Sequence, residues 1–198
     1  MTGVQTCALP ISRRAAKANI SFIVSGLNAS IKTVTLKSGI VCTGSLDNTS
    51  YIFSIPEDIT VTVSSGEAIF SGIDIYEGTY LTKTFTVDNS QPNQKYILPN
   101  PFVDTSTIRV KVVDGGTTEE YSSVNDIVGI NSTSKIFLIQ EVSDEKYELF
   151  FGDGIFGQKL KNSNVINVSY IVTNGPSGNG SANFTFSGSL VDDNNSVV

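Results

Sequence analysis

Residues 149–162 read LFFGDGIFGQKLKN, and the fold turns on how this stretch is read. Gly152, Gly154 and Gly157 stand in the G-x-G-x-x-G spacing of dinucleotide-binding loops. Such a loop works because a strand leads into the glycines and a helix leads out. The helix N-terminus then offers free N–H groups and a positive dipole to the pyrophosphate. Tyr147–Phe151 supplies the strand, but Gln158, Lys159, Leu160 and Lys161 run into the turn-forming Asn162-Ser163-Asn164 and leave no room for a helix. Asp153 would repel a phosphate, and VTNGPSGNG, where a ribose-binding acid belongs, contains no acid. A P-loop fails as well: Lys159 is displaced by one position, and Leu160 replaces the magnesium-binding hydroxyl residue. Asp-Gly between apolar runs is instead a tight-turn signal. Gly152, Asp153, Gly154 and Gly157 are therefore read as a structural turn, with Asp153-Gly154 at the centre of a type I′ turn. Gly157 permits a bulge or bend. On this reading the turn bends one strand back toward the next, its flanking aromatics pin it to a sheet face, and it binds no cofactor.

The surrounding sequence is strand-like. In STIRVKVVD, Ile108, Val110 and Val112 share one face and Arg109 and Lys111 the other. In NVINVSYIVT, Ile166, Val168, Tyr170 and Val172 oppose Asn167, Ser169 and Thr173. KIFLIQEV is apolar on both faces and predicts an interior strand, turned by Ser143–Lys146 into KYELFF as a hairpin. Upstream, ANISFIVSG, KTVTL, SGIVCTG, SYIFSI, ITVTVSS and EAIFSGIDIY are short strands broken by Gly, Pro, Asn and Asp. The prediction is a mainly β fold of antiparallel-rich sheets, sandwich or meander in type, with at most one or two short helices. The one helix candidate is Tyr121–Ile130. QPNQKYILPNPFVDTS, with three of the six prolines, predicts a boundary near Asn100. The expected division is a first β domain over 13–99, a second over 100–190 and a frayed tail over 191–198.

Residues 1–12, MTGVQTCALPIS, lack the basic start and apolar run of a signal peptide. They resemble the translation of a sequencing-library adaptor, so they are expected to be an artefactual leader before an internal fragment. Setting them aside leaves Cys42 as a lone thiol, expected to be buried and structural. The net charge of -6 and the sparse basic residues argue against a nucleic-acid partner. The one basic cluster, Arg13, Arg14 and Lys17, sits at the start of the remaining chain. No run approaches the length of a membrane-spanning helix. Histidine is absent, which removes Ser-His and Cys-His nucleophile systems and most zinc sites.

QEVSDEKYELFFGDGIFGQKLKNSNVINVSYIVTNGPSGNG carries a further pattern. A strand is followed by Phe151-Gly152-Asp153-Gly154, then Val165–Tyr170, then Thr173-Asn174-Gly175-Pro176-Ser177-Gly178-Asn179. In this order the passage resembles the baseplate wedge proteins of contractile-tailed bacteriophages, of the baseplate J-like family. VTLKSGIVCTGSLDNTSYIFSIPEDITV is similar to an upstream segment of that family, departing from it at Leu36-Lys37-Ser38-Gly39, where a proline and a threonine are usual. The likeness runs from about Asn19 to Gly188. It implies a structural virion protein of the tail baseplate, assembled in the host cytoplasm with other wedge proteins and copies of itself. It implies no catalytic residue, cofactor, metal, membrane or small-molecule substrate.

Three other readings are open at this level. A carboxylate-only hydrolase would need two acids flanking a cleft, with Glu67, Glu77, Glu141 and Glu148 as candidates. A carbohydrate-binding or adhesin-type β module of a bacterial surface protein suits the Thr, Asn and Ser content, although tryptophan is absent. GDG and DDNN offer oxygen ligands for calcium, but neither matches the spacing of an EF-hand loop, and turn chemistry accounts for both.

Overall fold

The computed structural model describes residues 13–91, 93–124 and 129–198. Its strands are β1 Lys17–Ser25, β2 Thr33–Leu36, β3 Gly39–Leu46, β4 Thr49–Ile55, β5 Ile59–Ser64, β6 Glu67–Glu77, β7 Thr79–Thr86 and β8 Tyr96–Ile97. There follow β9 Val103–Asp114, β10 Thr117–Ser123, β11 Ile136–Val142, β12 Lys146–Phe151, β13 Val165–Val172, β14 Ala182–Phe186 and β15 Leu190–Asp192. Helical geometry among the described residues is confined to single 3-10 turns at Ser143–Glu145 and Gly175–Gly178. Among those residues no helix is long and apolar enough to cross a membrane.

The strands form two sheets. The first runs β14-β3-β4-β6-β5-β2-β15, with β1 paired along β6. The second runs β7-β13-β9-β10-β11-β12-β8. Among the described residues every strand pairing is antiparallel except β10 with β11, and the isolated bridge between Gly152 and Lys159 is parallel as well. Sheet membership does not follow chain order, because β14 and β15 return to the first sheet after β13. The proline-bearing segment around Asn100 contributes β8 and the start of β9 to the second sheet.

The second sheet is a nearly closed barrel. Its edge strands meet where Phe85 of β7 and Tyr96 of β8 stack edge to face at 5.6 Å, and Tyr96 reaches Phe151 at 5.5 Å. The Gln94 side chain ties the same seam by donating to the Thr86 carbonyl at 2.7 Å. Alternation fills the interior as expected: Ile108, Val110, Val112, Ile166, Val168 and Tyr170 are buried. Thr173 departs from its expected wet face and is buried, as is Ile171, because β13 ends against the first sheet. The first sheet holds a separate core around Phe53, Phe70, Ile55 and Ile75. Each such large side chain contributes roughly 1.5–3 kcal/mol by leaving water. Cys42 packs within it at 3% exposure, and burial pushes its thiol pKa up, the state of an inert structural cysteine.

The helix expected at Tyr121–Ile130 needs correction. Tyr121, Ser122 and Ser123 are strand residues of β10, not the start of a helix; residues 125–128 lie outside the described residues. The Ser–Ser pairing with Ile136 and Phe137 of β11 outweighs a weak local helix signal. KIFLIQEV does lie inside its sheet, between β10 and β12, yet Leu138 is 43% exposed. Only one face of β11 turns into the barrel, so apolarity on both faces does not mean burial on both.

The chain crosses from the first sheet to the second at Gly78. Its φ of +133° lies outside the range of L side chains, and a Cβ there would run into the Val172 carbonyl.

Candidate functional site

Two features stand out: the glycine turn at one end of the barrel and a polar junction between the sheets. The turn is not a hairpin. β12 pairs with β11 and β8, whereas β13 pairs with β7 and β9, so residues 152–164 cross the barrel end between strands that do not pair with each other. Nor is it a type I′ turn, because Asp153 is not among the positive-φ residues, while Gly154 and Gly157 have φ of +96° and +84°. Asp153 acts through its side chain instead. One carboxylate oxygen accepts the N–H groups of both Ile155 and Phe156 at 2.8 Å. Gly154 donates to the Gly157 carbonyl at 3.1 Å, Gly157 to Asn131 at 3.0 Å and Gln158 to Ser134 at 2.8 Å. No helix follows Gly157 to receive a phosphate. The aromatics divide: Phe151 packs toward the barrel, but Ile155 and Phe156 point into solvent, at 71% and 57% exposure, and do not pin the turn to a sheet.

The N–H groups of Ile155 and then Phe156 hold the Asp153 carboxyl below its ordinary range, with Lys159 adding a smaller effect. A depressed carboxyl stabilises the turn above its unfolded pKa, near 4, and loses that contribution as pH falls through the folded value. Amide exchange at Ile155 and Phe156 is therefore expected to be slow at neutral pH and to accelerate, relative to neighbouring amides, as the pH drops below about 4. Unchanged relative protection at pH 2–3 would contradict this.

The junction is built on two buried acids. Glu77, at the end of β6 and 2% exposed, accepts the Thr173 hydroxyl at 2.7 Å, the Asn174 N–H at 3.1 Å and the Asn174 side-chain amide at 2.8 Å. Gly175 donates to the Thr173 hydroxyl at 2.9 Å, and Gly178 lies so close to Glu77 that a Cβ would come within 2.8 Å of its Cγ. Asp104, 1% exposed, accepts the Ala15 N–H at 2.8 Å and both the N–H and hydroxyl of Ser106. Arg14 stands 3.9 Å away. The Ala16 N–H reaches the Gly175 carbonyl and its own carbonyl accepts from Glu77, so residues 13–16 form a strap across both sheets. Arg13 lies over the Phe102 ring at 3.8 Å. The basic cluster thus ties the strap down. Sequence reasoning missed this site, although T-x-G-x-x-G-N had already been singled out and now proves to be what closes over Glu77.

The candidate catalytic acids are scattered. Glu77 is spent in the junction, and Glu148 is buried beside Lys95 at 3.5 Å. Glu67 is exposed at the start of β6, and Glu141 lines a cleft of about 660 Å³ with Arg14, Glu57 and Arg109. Glu141, Glu148 and Glu67 line three different clefts, and Glu77 faces the junction. In DDNN, Asp192 caps its own turn by accepting from Asn194 and Ser196 at 2.8 Å. Among the described residues no group of three or more His, Cys, Asp or Glu side chains is placed to hold a metal.

Comparison with known families bears on this barrel. The model of the bacteriophage baseplate wedge protein gp6, third domain, matches residues 83–185, from within β7 to within β14. The chain belongs to that family. The gp6 third-domain match takes in the glycine turn and the T-x-G-x-x-G-N segment, leaving Glu77 just outside it. No curated protein matches. Membership gives the chain a phage baseplate structural role in assembly with other baseplate proteins, a role that points away from an enzyme.

Proposed function

We propose that this chain is a structural wedge subunit of a contractile tail baseplate, related to the baseplate J-like proteins, which docks other wedge proteins and copies of itself. It is incorporated in the host cytoplasm and remains in the virion without a cofactor, substrate, nucleic acid or membrane. The observation that carries this reading is the family match over the barrel, joined to a junction whose buried hydrogen bonds link the two sheets. A subunit that transmits force between neighbours needs rigidity, and buried hydrogen-bonded acids supply it in a way sliding apolar faces do not. Nothing observed favours the carbohydrate-binding alternative.

The test is quantitative mass spectrometry of purified particles from a phage carrying this gene, with gene disruption alongside. Peptides of this chain should occur in fixed ratio to the other tail proteins, and disruption should leave particles without intact baseplates. Complete virions lacking the chain would rule the proposal out.

A further inference from the structure

We propose that Asn179 is a site of spontaneous covalent modification, converting to aspartate and isoaspartate in the folded chain, while Asn174 in the same segment is shielded from the same reaction. Asn174-Gly175 and Asn179-Gly180 are the only Asn-Gly pairs in the sequence. A glycine after asparagine leaves its backbone nitrogen unhindered by a Cβ and free to rotate. In the reaction that nitrogen gives its proton to solvent base and attacks the asparagine Cγ. The N–Cγ bond forms as the Cγ–Nδ2 bond breaks, and ammonia leaves with a proton from water. Water then opens the cyclic imide at either carbonyl, which yields aspartate or a backbone routed through Cγ. Water is the one co-reactant, and nothing is oxidised or reduced.

The two pairs differ in what holds them. Neither ψ, 8° at Asn174 nor 130° at Asn179, sets the next nitrogen against the side chain. Ring closure therefore needs a rotation about the Asn Cα–C bond, which carries the following peptide group with it. At Asn174 that rotation is opposed on every side. Its side-chain nitrogen donates to Glu77 at 2.8 Å and its N–H to the same carboxylate at 3.1 Å. The attacking nitrogen, that of buried Gly175, donates to the Thr173 hydroxyl at 2.9 Å, and the Asn174 carbonyl accepts the Ser177 hydroxyl at 3.2 Å. Asn179 and Gly180 are both exposed. Among the described residues neither the Asn179 side chain nor the Gly180 N–H has a hydrogen-bond partner. The Asn179 N–H donates to the Pro176 carbonyl at 2.9 Å, but the rotation does not move that group. The bond that spans the pair, from the Ser181 N–H to the Gly178 carbonyl, is 3.2 Å long. Solvent base thus reaches the Gly180 nitrogen, and the peptide group is free to turn.

The whole chain is kept folded in mildly alkaline buffer and its peptides are followed by mass spectrometry, with a sample denatured in urea alongside. In the folded chain Asn179 should convert at least about 30-fold faster than Asn174, because several hydrogen bonds must break before Asn174 can react. In urea the two rates should converge, since both residues precede glycine. Asn179→Gln should abolish the early, more negative species seen on isoelectric focusing. Glu77→Ala, in molecules that circular dichroism shows to be folded, should speed conversion at Asn174 about tenfold and leave Asn179 unchanged. If that variant does not fold, the folded and denatured parent samples decide the matter by themselves. Equal rates at the two sites in the folded chain overturn the inference. So does a folded chain that stays intact at Asn179 while the urea sample converts.

Discussion

Glu77→Ala is expected to destabilise the chain by roughly 3–5 kcal/mol. The substitution removes the acceptor of three donors: the Thr173 hydroxyl, which is buried and has no water to turn to, and the N–H and side-chain amide of Asn174, which is exposed and can turn to water. The stranded Thr173 hydroxyl costs roughly 1–3 kcal/mol, partly offset because no acid is then desolvated on folding. A cavity adds to the loss, since Glu77 is among the largest fully buried side chains. Glu77→Gln keeps the shape but turns one acceptor into a donor facing Asn174 or Thr173, so about half the loss should remain. Denaturant unfolding of the three proteins measures both. A loss under about 1 kcal/mol for the alanine variant would mean that the junction is held by something else. Because Glu77 is on β6 and its partners follow β13, the lost stability should also loosen one sheet from the other, and amide exchange at Gly175 and Ala16 should accelerate first.

Gly152→Ala should be comparably severe, by about 3–4 kcal/mol, for a different reason. Gly152 does not need an unusual φ. It needs the absence of a side chain, because a Cβ would collide with the backbone of Gly157, including its carbonyl. Backbone against backbone has no rotamer to yield, so the loop must open. Opening it costs the Gly157–Asn131 and Gln158–Ser134 hydrogen bonds and the packing of Gly157 on Ile136. Gly154→Ala meets nothing closer than 3.7 Å, and its φ of +96° makes it strained but not blocked. Thermal melts should rank Gly152→Ala well below Gly154→Ala; equal midpoints would refute the close-approach account.

Local order was legible. Ile108, Val110 and Val112 announce their buried face by a period of two, and Ser143–Glu145 announces the β11–β12 turn. That no helix leads out of the glycine loop was legible, since a missing helix is itself a local property. Its geometry was not. Asp-Gly favours a hairpin only when the flanking strands are neighbours, and β12 and β13 are not. Asp153 then serves as a side-chain acceptor, and Ile155 and Phe156 face outward. Glu77 was weighed as a catalytic acid because an isolated acid on a strand looks the same whether it lines a cleft or fills a junction.

The sequence alone determined that this is a β protein, where its strands alternate, and that no helix leads out of the glycine stretch. These follow from interactions a few residues long: side-chain period, turn propensity and the absence of a helix. Tertiary structure alone decided that β14 and β15 return to the first sheet, that the second sheet curls almost shut, and that Glu77 meets Thr173 across 96 residues. Such pairings depend on which exposed edges and buried donors find each other in space, a choice among many partners of nearly equal local merit.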